Sequence, residues 1–334
     1  MSQDAHKSQG RVLVTGASGF LGRRLVARLC ESGWQVRALT RRESQAGFLH
    51  SLGAEPVIGD VGKLDSLRPA FAGVDAVIHA AADTGGNPDA GRQITIGGTR
   101  NILELCTEHR VSKLVYISSC SVYGTAALAE HDIITEDGPL EPAPAQRGPY
   151  SWAKYQAEQL VLNYMREGGA AIVCLRPGTI YGVGGELFTP MLGFGFKRKI
   201  FALIGDGRFV LPLVYVDNLV DAIMLSLERP ESVGRIYNVV DAERVDKKRY
   251  MQDLIIKLHP GARYFCLPFG LLMLLVRWQE KLFALLGKEP FLTHYRLASS
   301  QKNVVYASAR IQEELGWESR FSFAEAAARI IESV

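Results

Sequence analysis

Arg11-Val12-Leu13-Val14-Thr15-Gly16-Ala17-Ser18-Gly19-Phe20-Leu21-Gly22 is the stretch on which the fold turns. A β-branched run leads straight into glycines spaced three apart, and a helical pattern at 21–32 opens behind them. In that position each glycine has a separate use. Gly16 lets the strand turn, Gly19 lets backbone approach a pyrophosphate, and Gly22 lets helix and strand pack closely. The helix N-terminus then offers free N–H groups to phosphate charge. A glycine turn without a ligand is the bland alternative. The placement after a first strand and before a first helix favours a dinucleotide cradle of Gly16, Ser18, Gly19, Phe20, Leu21 and Gly22.

Outward from this loop the alternation continues. Short β-branched runs at 11–14, 35–39, 76–79, 113–117 and 172–175 are separated by helical patterns at 21–32, 98–109 and 151–167. Most runs lack polar alternation, which predicts strands buried on both faces of a parallel sheet. The expected fold is therefore α/β, a doubly wound parallel sheet of Rossmann type, with a smaller, interleaved C-terminal α/β substrate part. The dinucleotide-binding domain is expected at 10–180, with 213–240 returning to it. The substrate part is expected at 181–212 and 241–334, and 1–9 reads as a flexible tail. A last amphipathic helix is expected near 323–332.

Composition narrows the function. The 334 residues carry a formal net charge of +3 with no basic run, which argues against a nucleic-acid partner. The cysteines at 30, 106, 120, 174 and 266 show no metal-ligand or paired spacing, so reduced thiols, no metal site and a cytoplasmic location are expected. The apolar stretch beginning at Leu267 is about half the ~20 residues a bilayer span requires.

The second strand ends in Thr40-Arg41-Arg42 with no carboxylate. An acidic residue there would accept bonds from ribose hydroxyls, whereas Arg41 and Arg42 suit a 2′-phosphate. NADP(H) is thus preferred as cofactor, with NAD(H) left open. Asp60-Val61 follows the third strand and is placed to meet the adenine edge.

Pro149-Tyr150-Ser151-Trp152-Ala153-Lys154 begins a helix, and a spacing of four puts Tyr150 and Lys154 on one face. A phenol with pKa near about 10 is a poor base, and a neighbouring ammonium favours its ionised form. The run 114–117 ends in Ser118-Ser119-Cys120-Ser121, which sets hydroxyls at the carboxyl end of a strand, where ligands bind in open sheets.

These motifs together resemble the extended branch of the short-chain dehydrogenase/reductase superfamily. The matching residues are the Thr15–Gly22 loop, Asp60-Val61, Val77-Ile78-His79-Ala80-Ala81, Gly98-Thr99-Arg100-Asn101, Ser118-Ser119, the Tyr150/Lys154 pair and Arg176-Pro177-Gly178. The resemblance implies Ser119 as the third catalytic residue beside Tyr150 and Lys154. It adds Ala80, Ala81, Pro177 and Thr179, with Tyr150 and Lys154, to the cofactor contacts. It also implies a homodimer through the helices that contain 98–109 and 150–164. Thr95 departs from the family, which usually has asparagine there.

Sugar-nucleotide members of that family carry Arg-Asp where this chain has Leu211-Pro212, although Arg208 lies close in sequence. The apolar stretch 267–287 is similar to the tail of the 3β-hydroxysteroid dehydrogenase-like branch, which includes sterol dehydrogenases and 2-alkyl-3-oxoalkanoate reductases. That stretch reads as core, as pocket wall or as a peripheral membrane contact. The expectation is an NADP(H)-dependent oxidoreductase acting on the ketone or secondary alcohol of an apolar, sterol-like or 3-oxoacyl substrate. A nucleotide-sugar epimerase or dehydratase with bound NAD, and a non-catalytic dinucleotide-sensing protein, are the alternatives.

Overall fold

A computed structural model describes residues 9–168 and 171–334, so nearly all of the tail read at 1–9 lies outside the described residues. Ten strands matter to the site: β1 (Arg11–Thr15), β2 (Gln35–Thr40), β3 (Glu55–Ile58), β4 (Ala76–His79), β5 (Lys113–Ile117), β6 (Ala171–Pro177), β7 (Gly193–Phe196), β8 (Ile200–Ile204), β9 (Ile236–Val239) and β10 (Arg263–Leu267). Six helices accompany them: α1 (Phe20–Glu31), α2 (Gly98–Glu108), α3 (Pro149–Arg166), α4 (Val216–Glu228), α5 (Phe269–Leu285) and α6 (Phe323–Glu332).

Seven strands form one parallel sheet in the order β9-β6-β5-β4-β1-β2-β3. Successive side chains of β1 explain the missing polar alternation. Val12 and Val14 pack with Leu25, Val26 and Leu29 of α1, while Leu13 packs on the opposite face with Ile102, Leu105 and Cys106 of α2. Each such buried side chain contributes about 1.5–3 kcal/mol. From β1 the chain winds one way through β2 and β3, and then the other way from β4 to β9. The carboxyl ends of β1 and β4 therefore border the crevice where an open α/β sheet takes its ligand.

The second layer is a three-stranded sheet in which β8 pairs antiparallel with β7 and parallel with β10. Phe201 and Leu203 of β8 bury one face of it in a cluster that contains Phe323, Ala326 and Ile330 of α6. Two details depart from the expected division of the chain. Leu213–Tyr215 pairs with Thr179–Tyr181 in a ladder of its own, before α4 and β9 return to the large domain. Within 241–334, Ile311, Leu315 and Trp317 pack into the large domain's core beside α4 and β9. The indole of Trp317 explains the docking, because its buried N–H donates to Asn218 O at 3.0 Å.

Candidate active site

The glycine cradle is built by close approach. Gly16 has φ +71°, and a Cβ there would lie 2.9 Å from Ala80 C and Ala81 N. At Gly22 a Cβ would stand 2.1 Å from Gly16 O, so α1 can cross β1 only with hydrogen at that position. The N-terminus of α1 has Gly19 as its cap, no side-chain capping bond and no acidic residue in its first turn. Its unsatisfied N–H groups border the cavity, a donor set that suits a pyrophosphate.

A cavity of about 1020 Å³ extends from this cradle across the carboxyl edge of the sheet to the C-terminal part. Gly16, Ser18, Gly19, Phe20, Leu21, Gly22, Arg41, Val61, Ala80, Ala81, Ser119, Tyr150, Lys154, Pro177 and Thr179 line it. Two expected contacts do not. Arg42 lies exposed outside the lining, its backbone N–H donating to the Thr40 hydroxyl at 3.3 Å. The Asp60 carboxylate closes its own turn by accepting from Gly62 N at 2.9 Å, leaving Gly59 and Val61 as the lining there.

Behind the cradle runs a directional hydrogen-bond chain. Ala81 N donates to Thr15 Oγ1 at 3.2 Å, and Thr15 Oγ1 lies 2.7 Å from His79 Nδ1. On the other side His79 Nε2 lies 3.1 Å from Thr99 Oγ1, which donates to Thr95 O at 2.6 Å. The Thr99 proton is committed to Thr95 O, so His79 must donate from Nε2, and a neutral ring then accepts the Thr15 hydroxyl at Nδ1. Burial, with the nearby Lys154 charge adding to it, pushes the imidazole down to about 3. Thr95 lies in a π-helical turn, Gly91–Gly97, and its hydroxyl accepts from Asp83 N at 2.9 Å.

Helix α3 delivers the reactive groups. Gly148, at φ +95°, turns the chain into it, and Pro149 occupies the first turn. Tyr150, Lys154 and Glu158 follow at intervals of four on one face. Burial pushes the Tyr150 phenol above its ordinary value, and the Ser119 hydroxyl beside it pulls the other way. Burial pushes Lys154 down to about 8, against an opposing pull from Cys174 and Glu158. The expected lowering of the phenol by Lys154 does not occur in this conformation. Its ammonium instead donates to Ile117 O at 2.7 Å, at the end of β5.

Sequence reasoning missed the charge beneath this lysine. Glu158 is fully buried and receives Arg176 Nη2 at 2.7 Å and Nε at 3.1 Å, together with the Ser118 hydroxyl. Arg176 also donates to Tyr123 Oη at 2.7 Å and to Glu136 O at 2.9 Å. The signal was present in the helical spacing, since Glu158 stands one turn beyond Lys154. Ser299 was missed as well: among the described residues its buried hydroxyl and that of Ser121 lack partners, and both residues line the cavity. Arg208 stays outside the lining, within 3.6 Å of Asp206 on the exposed surface. Among the described residues no group of three His, Cys, Asp or Glu could hold a metal, and no helix is long and apolar enough to cross a membrane.

A dinucleotide cradle joined to a Tyr-Lys pair and a strand-end serine defines an NAD(P)-dependent oxidoreductase acting on CH–OH and C=O groups. The chain belongs to the NAD dependent epimerase/dehydratase family, whose model matches residues 12–239, and within it to the extended short-chain dehydrogenases/reductases. It is 29% identical over 315 residues to the 4-hydroxy-2-methyl-3-oxo-4-farnesyl-3,4-dihydroquinoline-1-oxide ketoreductase of Stigmatella aurantiaca, covering 93% of this chain and 92% of that protein. It is 32% identical over 251 residues to the 2-alkyl-3-oxoalkanoate reductase of Stenotrophomonas maltophilia (strain K279a), covering 73% and 74%. The structure of MoeE5 in complex with UDP-glucuronic acid and NAD superposes with a TM-score of 0.72 at 24% identity, over 97% of this chain and 98% of that one. The cofactor is a nicotinamide dinucleotide.

Proposed function

We propose that the protein is an NADP(H)-dependent oxidoreductase that interconverts a ketone and a secondary alcohol on an apolar substrate, sterol-like or 3-oxoacyl. One observation carries this reading. Tyr150, Lys154 and Ser119 share one cavity with the glycine cradle at one end and Phe194, Phe291 and Leu292 at the other. The bound nicotinamide supplies or accepts the hydride. Everything else falls to this chain. Gly16, Gly19 and the α1 N-terminus hold the pyrophosphate, and Arg41 meets the adenosine end, where a 2′-phosphate gives it a partner.

Tyr150 carries the proton of the substrate oxygen. Held above its ordinary pKa by burial, it stands protonated at neutral pH and can donate at once in the reducing direction. Ser119 donates a hydrogen bond to the same oxygen and stabilises charge developing there. Lys154 remains largely charged at neutral pH, holds the ribose, and keeps a positive charge on the phenol's side of the cavity. Apolar walls favour a greasy substrate over a sugar diphosphate, which would find Pro212 in the lining and not Arg208. The relatives' names point the same way, to a farnesylated quinoline and to an alkyl oxoalkanoate. A homodimer through α2 and α3 accompanies this reading.

The test is Tyr150→Phe, assayed with NADPH on sterol ketones and 3-oxoacyl compounds. Turnover should fall about 10²–10⁴-fold while dinucleotide binding, followed by nicotinamide fluorescence, stays nearly unchanged. Full activity in the variant would overturn the assignment.

A further inference from the structure

We propose that the β7–β8 hairpin and helix α5 form one docking face for an anionic lipid surface, and that the substrate cavity opens onto that face. The register of the small sheet shows why the face is open. Phe194 pairs with Ala202 and Ala202 with Phe265, while Phe196 pairs with Ile200 and Ile200 with Arg263, so all six lie on one side of the sheet. The opposite side is core. On the near side, α5 covers only the row at Ile204 and Leu267, through Leu272 and Val276. The rows beyond it expose Phe194, Ile200, Phe265 and Phe196, the last with 64% of its surface in solvent.

The outer side of α5 repeats the pattern. Leu271, Leu274, Leu275, Trp278, Leu282 and Leu285 recur at intervals of three and four and form a single stripe opposite Leu272 and Val276. Trp278 is 68% exposed and Leu285 is 86% exposed. Charge selects the occupant. Lys197, Arg198 and Lys199 make the hairpin turn between Phe196 and Ile200, and Arg277 and Lys281 run along one edge of the stripe. From 193 to 200 there is no carboxylate, and from 263 to 288 the one carboxylate, Glu280, is held by His294 at 3.0 Å. Large apolar side chains rimmed by lysine and arginine fit the headgroup and upper acyl region of an anionic leaflet. A second copy would bring the same positive rim against itself.

The cavity supplies the reason for such a face. Phe194 and Phe291 line the cavity and are also exposed, Phe291 at 81%, and Phe291 packs against Phe283 of α5 at 5.2 Å. An apolar substrate can therefore pass from the leaflet between these rings without crossing water. This entry route rests on the apolar-substrate reading, whereas the docking face stands on exposure and charge alone.

The test is co-sedimentation of the full chain with vesicles of phosphatidylcholine, alone or with roughly one-quarter phosphatidylglycerol. Binding should be strong only to the anionic vesicles and should weaken with salt. Brominated lipid should quench Trp278 fluorescence in the wild type but not in Trp278→Phe. Lys197→Glu/Arg198→Glu/Lys199→Glu and, separately, Phe196→Ser/Ile200→Ser should each cut vesicle binding about tenfold or more. Dinucleotide binding and reduction of a water-soluble ketone should stay unchanged in those variants, so a failed oxidoreductase assignment would show separately. No binding by the wild type would overturn the proposal. So would a dimer in sedimentation velocity that the same variants split, because the face would then join two copies.

Discussion

The neutral His79 makes a quantitative acid sensitivity inescapable. In the unfolded chain its imidazole titrates near 6.5, and in the folded protein burial holds it at about 3. Between those values the unfolded state binds more protons, so stability is full above the unfolded pKa and falls as pH drops toward the folded one. At about 1.36 kcal/mol per unit, the displacement is worth about 4 to 5 kcal/mol in full, and about 2 kcal/mol of it is already lost at pH 5. Structure gives the loss a local consequence. A proton added at Nδ1 would point at Thr15 Oγ1, whose own hydrogen would then lack its acceptor while Ala81 N still donates to the oxygen. The Ala80-Ala81 wall of the cradle should loosen as the pH falls. The assay is urea unfolding of wild type and His79→Gln at about pH 7.5 and about pH 5, alongside dinucleotide affinity at both. The variant starts less stable, so the readout is each protein's own pH dependence, which should be about 2 kcal/mol steeper in the wild type. Parallel pH dependences would refute the assignment of a buried neutral imidazole.

Other consequences are as direct. Gly22→Ala places a Cβ 2.1 Å from a backbone oxygen, and the resulting overpacking should cost about 3 kcal/mol or more, seen as a lowered melting temperature and lost dinucleotide binding. Arg41→Ser should reduce the preference for NADPH over NADH about 10- to 100-fold in kcat/KM, and an unchanged ratio would remove this arginine from 2′-phosphate recognition. Glu158→Gln leaves a buried guanidinium without its counter-charge and should destabilise the protein by about 3–5 kcal/mol in urea unfolding. Because Glu158 also pulls the Lys154 pKa upward, the same variant should move the alkaline loss of activity to lower pH.

What could be read in the chain, and what could not, follows from the range of each interaction. The glycine loop, the strands and the Tyr150–Lys154 spacing are local patterns, and the crossing of β1 by α1 at Gly22 needs nothing beyond its neighbours. The placement of Trp317 depends on an acceptor, Asn218 O, from a segment about a hundred residues away, which no local pattern encodes. Asp60 was ambiguous for a related reason. A carboxylate after a strand serves a ligand or its own turn equally well, and only the folded chain shows the Gly62 N–H bond it accepts. Arg41 and Arg42 are adjacent and chemically alike, yet only the first lines the cavity. The open face of the small sheet was illegible because Gly193–Phe196, Ile200–Ile204 and Arg263–Leu267 raised no strand expectation, and the last lies far from the other two in the chain. Which side lacked a cover emerged only from the path of α5.

The buried charges resolve into one alternating series. Tyr150, Lys154 and Glu158 lie along α3, and Arg176 of β6 closes the row with further donors and acceptors behind it. Burial pulls the Lys154 ammonium down, because desolvation penalises only the charged form. Cys174 and Glu158 oppose that pull, and Arg176 supplies the counter-charge on the far side of the Glu158 carboxylate. The guanidinium can afford no loss of its own partners, which accounts for its bonds to Tyr123 and Glu136. Lys154 is therefore held at about 8, with Cys174 and Glu158 opposing the pull of burial. Tyr150, at the open end of the row, is held above its ordinary value by burial and stays a neutral phenol able to donate to the substrate oxygen.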